Sequence, residues 1–318
     1  MKSTGMFVTL VTLATIVVPA THAVENPVLS LDQVLEQFQW DFESTAIRTE
    51  KVTDSLYVLF GAGGNIAVSI GSDGVLVVDN QFPEMYGKIK QAIQALGGDR
   101  IDYAVNTHWH FDHAQGNLAM GPDGVNIVAH QNAREDMKSG GVINMVIAKH
   151  GQKPYPSNAL PVITYADGMH MYFNDEQIDL MHFSPAHTTG DTAIIFRGSN
   201  AVHLGDVFNN SGYPFIDADS GGDIDGMIEF CQSTLDQIPA NATVIPGHGE
   251  ITDTDALKAY ISMLRTVRGR VAKMMSQGKS LEEIEAANLT AEYTDAYGDE
   301  SASLGFVNRI YTSLAKKN

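Results

Sequence analysis

Apolar residues first recur at Leu31, Val34, Leu35 and Phe38, a helical spacing that follows Ser30 as a capping residue. The pattern then tightens into strand-like runs at Ile47 to Val52, Leu56 to Phe60, Ile66 to Ile70 and Val75 to Asp79, with Asp73-Gly74 predicting a hairpin between the last two. Ile89, Ile93 and Leu96 restore the helical period, which Gly97-Gly98 closes, and Ile101 to Asn106 reads as a buried strand. Val125 to Ala129 and a helix from Gln131 repeat that order. The second half has strands near Met169 to Phe173, Gln177 to Phe183, Thr192 to Phe196 and Ala201 to Leu204. A helix with Ile224, Ile228, Cys231 and Leu235 on one face and a strand Ala242 to Ile245 follow. From Thr254 onward the pattern is helical: Leu257, Ile261 and Leu264 form one stripe, Ser280 and Glu283 a capping box, and Leu304, Val307, Tyr311 and Leu314 a last stripe. Two successive sets of strands and helices predict an α/β fold, an αββα sandwich of two mixed β-sheets with outer helices. A C-terminal helical extension, 253–318, packs on a main domain, 24–252.

The N-terminal stretch changes the picture of the chain's destination. Lys2 is its one charge, Met6 to Ala20 is mostly apolar, and Thr21-His22-Ala23 offers small residues at both positions read before a cut. Residues 1–23 therefore read as a signal peptide and the expected location is periplasmic or secreted, with the mature chain starting at Val24. No later segment is long and apolar enough to span a membrane. The chain has 318 residues, 20 Lys and Arg against 38 Asp and Glu, and a net charge of −18, which repels phosphate backbones and argues against nucleic acid as a partner. A single cysteine excludes an internal disulfide, and Cys231 on its helical face reads as a small core residue.

The candidate chemistry lies directly after the strand Ile101 to Val105, in Asn106-Thr107-His108-Trp109-His110-Phe111-Asp112-His113. In an extended chain alternate side chains share a face, so His108, His110 and Asp112 are expected to converge while Trp109 and Phe111 pack the other way. A turn beginning at Asp112 would let it and His113 serve a second ion. One loop does not complete two zinc sites. Three later residues, each just past a strand, can: His187 in Ser184-Pro185-Ala186-His187-Thr188-Thr189-Gly190-Asp191, Asp206 in Leu204-Gly205-Asp206, and His248 in Pro246-Gly247-His248-Gly249.

With these residues the chain resembles the metallo-β-lactamase fold superfamily from about Val52 to Gly249: His108, His110, Asp112 and His113 match its His-x-His-x-Asp-His motif, and His187, Asp206 and His248 match its later metal-binding segments in order. The resemblance implies two Zn2+ ions per chain, one held by His108, His110 and His187, the other by Asp112, His113 and His248, with Asp206 bridging. It also implies a metal-dependent hydrolase in which the ions share a hydroxide that attacks a carbonyl, while Asp112 orients it and accepts its proton. The substrate is then a small-molecule amide, ester, thioester or lactone. Export ranks β-lactamase-like amide hydrolysis first. The alternative is a thioesterase of glyoxalase II type or a lactonase, because the cysteine-ligand subclass of β-lactamases has a cysteine in the place of Asp206 and a lysine where Asn209 stands. A diiron redox protein or a non-catalytic metal binder is the remaining class.

Asp79 resembles the superfamily's buried aspartate behind the metal loop and is expected to orient a ligand. Gly61-Ala62-Gly63-Gly64 reads as a mobile flap, Gln81-Phe82 and Trp109 as an apolar wall near the metals, and Asn209, Asn210 and Tyr213 as donors to a substrate oxyanion. His130, His150, His170, His182 and His203 lack partner spacing and read as structural or solvated.

Overall fold

The computed structural model of the chain describes residues 27–317, so the expected signal peptide lies outside the described residues. Two sheets form its centre. The first has seven strands, in the order Ile163–Tyr165, Asn126–His130, Ile101–Val105, Gly74–Val78, Ile66–Gly71, Leu56–Phe60 and Arg48–Lys51. The pairings are parallel from Ile163–Tyr165 as far as Gly74–Val78 and antiparallel beyond. The second has six, Gly168–Phe173, Glu176–Met181, Ala193–Phe196, Ala201–His203, Thr243–Ile245 and Thr252–Asp253, with one parallel pairing between Ala201–His203 and Thr243–Ile245.

Strand alternation builds the layers. In Gly74–Val78, Leu76 and Val78 face an inner core shared with Ile178, Leu180, Ile194 and Phe196 of the second sheet. Val75 and Val77 face outward, onto Ile89 and Ile93 of the helix Tyr86–Ala95 and Val34 of the helix Leu31–Phe38. Ile195 and Val202 likewise face outward, onto the helices Ile224–Gln237, Thr254–Ser276 and Glu300–Ala315. Strands covered on both faces show continuous apolar runs rather than alternation, which is why Gly74–Val78 and Ala193–Phe196 stand out in the sequence. This is the expected sandwich with C-terminal helices. None of the described helices is long and apolar enough to cross a membrane.

Local departures have local causes. Gly71 pairs with Gly74, so the hairpin turn is Ser72-Asp73 and Gly74 is a strand residue. The buried face of Ile224–Gln237 runs through Met227, Phe230, Cys231 and Thr234, with Ile228 and Leu235 at its edges. In Glu300–Ala315 the core face is Phe306, Val307, Ile310 and Leu314, and Leu304 is 38% exposed. At about 100° per residue, Leu304 falls roughly 160° from Phe306 around the axis. A small third sheet of Val28–Leu29, Lys149–Gln152 and Gly141–Asn144 escaped the periodicity, since strands of two to four residues are too short to display a period.

Candidate metal centre

All seven residues singled out in the sequence meet at one edge of the sandwich. Their donor atoms form three groups, each within 4.8 Å: His108, His110 and His187; His108, His113 and Asp206; Asp112, His113 and His248. The chain reaches this arrangement differently from the extended loop expected. His110 caps a helical turn, Phe111–Ala114, so Asp112 and His113 project from a helix. Trp109 and Phe111 do pack away into the outer core of the first sheet.

Hydrogen bonds fix which nitrogen faces inward for four of the five imidazoles, His108, His110, His113 and His187. Thr107 donates its hydroxyl to Asp79 Oδ2 at 2.8 Å, so its oxygen accepts from His108 Nδ1 at 2.9 Å, leaving His108 Nε2 bare. His113 Nδ1 donates to Asp79 Oδ2 at 2.7 Å, His187 Nδ1 to the Phe215 carbonyl at 2.8 Å, and His110 Nε2 to Asp217 Oδ2 at 3.1 Å. Each bond orients a ring and keeps a lone pair on its other nitrogen, the arrangement a metal ligand needs. Those inward atoms crowd one another: His110 Nδ1 and His187 Nε2 are 2.8 Å apart, His113 Nε2 and His248 Nε2 3.2 Å. Donors on a tetrahedral ion with ~2.0 Å bonds are separated by about 3.3 Å. His108 Nε2 is buried without any hydrogen-bond partner, which is costly unless a cation takes up its lone pair. The donor set of imidazoles and carboxylates suits zinc.

Asp206 faces both halves, with Oδ1 3.1 Å from His113 Nε2 and Oδ2 3.7 Å from His187 Nε2. Asp112 Oδ2 lies 3.0 Å from His248 Nε2. The His108, His113 and His187 rings are sealed off, whereas the side chains of Asp112, Asp206 and His248 are 10, 14 and 21% exposed, so the centre opens on their side. Burial, reinforced by the neighbouring histidines, holds His108 well below the usual histidine range. Burial opposes charging of His113 too, but Asp206, Asp112 and Asp79 together hold it well above that range, so its inward proton must leave when a cation takes its place. Burial alone would raise the Asp206 carboxyl, and His113 and His248 instead hold it well below the usual carboxylate range.

Asp79 sits behind the metal loop as expected, at φ 64° and fully buried, also accepting the Thr107 backbone N–H at 2.7 Å. Several other expectations fail. Gly63-Gly64 is no flap: Gly64 N–H donates to Asp112 O at 3.0 Å, Gly64 O accepts from Gln81 Nε2, and a Cβ on Gly64 would lie 2.2 Å from the His113 ring. Gln81, Phe82 and Trp109 are buried and offer no wall to a substrate. Asn210 Nδ2 donates to Glu250 O and the Tyr213 hydroxyl to Thr290 O, so these two donors are engaged elsewhere, while Asn209 uses its Oδ1 to accept from Ser211. Among the five histidines set aside, His203 is fully buried and hydrogen-bonded, and His130 and His182 stack at 4.1 Å. Sequence reasoning missed Asp217 and the Phe215 carbonyl; a lone aspartate in the apolar run Phe215-Ile216-Asp217-Ala218 was its one signal.

Comparison with known proteins agrees with the fold. In fold, the chain is similar to a metallo-beta-lactamase from Pontibacter korlensis, with 16% identity over 69% of this chain and 99% of that one and a TM-score of 0.57. The stereoselective inverting sec-alkylsulfatase Pisa1 from Pseudomonas sp. is similar at 15% identity over 83% of this chain, which spans 50% of that protein, with a TM-score of 0.65. A 62-residue stretch is 32% identical to a coenzyme F₄₂₀H₂ oxidase of Methanothermobacter marburgensis, covering 18% of this chain and only 15% of that relative's length. The profile of the metallo-beta-lactamase superfamily, a group of metal-dependent hydrolases, matches residues 61–268, well over half of the sequence, and this chain belongs to that superfamily.

Proposed function

We propose that this chain is an exported binuclear zinc hydrolase that adds hydroxide to a carbonyl carbon of a small molecule and cleaves the adjoining acyl bond, with the β-lactam amide as lead substrate. The observation that carries the reading is two groups of inward donors joined by Asp206 and open to solvent only beside Asp112 and His248. His108, His110 and His187 would hold one ion, Asp112, His113 and His248 the other, and Asp206 both. When bound, such ions supply Lewis acidity that brings a water's pKa toward neutrality and polarises a carbonyl.

The chain's own residues do the rest. Asp217, Asp79 with Thr107, and the Phe215 carbonyl fix the imidazoles, so little reorganisation is left for the reaction. Asp112, partly exposed at the opening, orients the attacking water and accepts its proton. A lactone or thioester is the second reading, favoured by a carboxylate at Asp206 and by the neutral Asn209, whose Oδ1 is occupied by Ser211. Zinc-loaded protein should turn over one of a chromogenic cephalosporin, an aliphatic lactone and an acyl thioester. Asp112→Asn should lower kcat by about 10²–10⁴-fold, the usual worth of a positioned base. Near-normal turnover in that variant removes Asp112 from its role, and inactivity of the loaded protein on all three removes the hydrolase reading. Export is checked by fractionation and by an N-terminus at Val24.

A further inference from the structure

We propose that Asn65 and His203 form a positioning clamp that holds the His248 loop of the second metal group against the turn of the shared ligand Asp206, without touching the partners that orient His110 and His187. The inference rests on the two-metal reading above and concerns residues that never touch an ion.

Asn65 is buried and spends its donors on one loop: its N–H on Gly247 O at 2.7 Å, and its Nδ2 on Pro246 O and Gly249 O, each at 2.9 Å. Those three carbonyls bracket His248. The Asn65 carbonyl accepts from His203 Nε2 at 3.0 Å, and His203 Nδ1 accepts from Gly205 N–H at 3.1 Å, one residue before Asp206. A carbonyl can only accept and a backbone N–H only donate, so His203 is the neutral tautomer with both nitrogens in use. This pair joins the direct bonds from Gly247 N–H to Gly205 O at 2.8 Å and Phe208 O at 3.0 Å in holding the Asp206 turn and the His248 loop at a fixed separation. Gly64, next to Asn65, extends the template by binding Asp112 O and leaving room for the His113 ring. The first group hangs on other partners, Asp217 for His110 and the Phe215 carbonyl for His187.

The test is zinc titration by calorimetry of the full chain after chelator stripping. Wild type should take up two ions. Asn65→Ser, which deletes both side-chain bonds and spares the backbone one, and independently His203→Phe, should weaken one of the two by about 10–100-fold, the range found for partners that orient metal ligands. In a His248→Ala background, which breaks the second group and keeps His108, His110 and His187 intact, adding Asn65→Ser should leave the affinity of the first group unchanged while adding Asp217→Asn weakens it by a similar factor. Melting of each metal-free variant reports on folding, and His203→Phe carries the test if Asn65→Ser does not fold. Two ions bound with wild-type affinity by both variants overturn the clamp alone, as does an Asn65→Ser effect on the His248→Ala protein equal to that of Asp217→Asn. Wild type binding fewer than two ions overturns the two-metal reading and the clamp with it.

Discussion

Asp79 shows how one side chain can be tied to a metal loop without touching a metal. It is held at φ 64°, a region that Asn and Asp enter more readily than other non-glycine residues, and its two oxygens receive three donors, Thr107 N–H, Thr107 Oγ1 and His113 Nδ1. Asp79→Asn keeps the backbone geometry but turns one acceptor oxygen into a donor facing other donors. Metal affinity should fall by about 10–100-fold while the fold persists, read by competition with a chromophoric chelator. A second carboxylate, which is not itself a candidate ligand, makes a pH prediction. Burial raises the Asp136 carboxyl to about 6, outweighing its hydrogen bond from Thr189 Oγ1. A carboxyl raised on folding takes up protons in the native state between its unfolded value near 3.8 and 6, so its cost to stability is relieved as pH falls through that window. Asp136→Asn should therefore melt higher than wild type at pH 8, and the difference should vanish near pH 4; melting curves at the two pH values decide it.

The elements around the centre were legible to the extent that their chemistry is periodic or local. The strand Ile101–Val105 and the ligand run after it could be placed because a buried strand reads as a continuous apolar run and because two histidines, an aspartate and a further histidine crowd six positions. The helical turn at Phe111–Ala114 was not legible, since four residues cannot display a period and the same spacing fits an extended loop. Asp217 and Asn65 were hidden for a different reason: each acts across more than a hundred positions of sequence, on His110 and on Pro246, where no spacing rule reaches. Gly61 to Gly64 misled because glycine marks both mobile turns and close backbone approaches. Here the close approach rules, so Gly64→Ala places a Cβ 2.2 Å from His113 Cε1, with Gly64 N–H still bound to Asp112 O. We expect that variant to lose about half of its bound zinc, measured by elemental analysis of dialysed protein. Retention of the full complement would mean the segment yields as a flap would.

At the scale of the molecule the C-terminal helices complete the outer layer of the second sheet. Leu257, Tyr260, Ile261, Leu264, Val267 and Val271 of Thr254–Ser276, and Phe306, Val307, Ile310 and Leu314 of Glu300–Ala315, share one core with Ile195, Val202, Met227 and Phe230. Polar contacts lock the last helix to the stretch that follows Asp217: Arg309 Nη1 donates to Asp219 Oδ2 at 2.8 Å, and Ile224 N–H to Ser313 Oγ at 3.1 Å. Asp219 in turn accepts from Asn144, so the edge of the small sheet beside the metal loop is tied in as well. Burying a large apolar side chain contributes about 1.5–3 kcal/mol, so removing these ten matches or exceeds the roughly 5–15 kcal/mol by which a domain of this kind is stable. A chain ending at Asp253 should consequently lose its cooperative melt, bind a hydrophobic dye and fail to retain zinc, although all seven candidate ligands lie before the cut. If that fragment instead stayed soluble, melted cooperatively and bound two ions, residues 253–318 would be a separate attachment, and the placement of Asp217 would have to come from the sandwich alone.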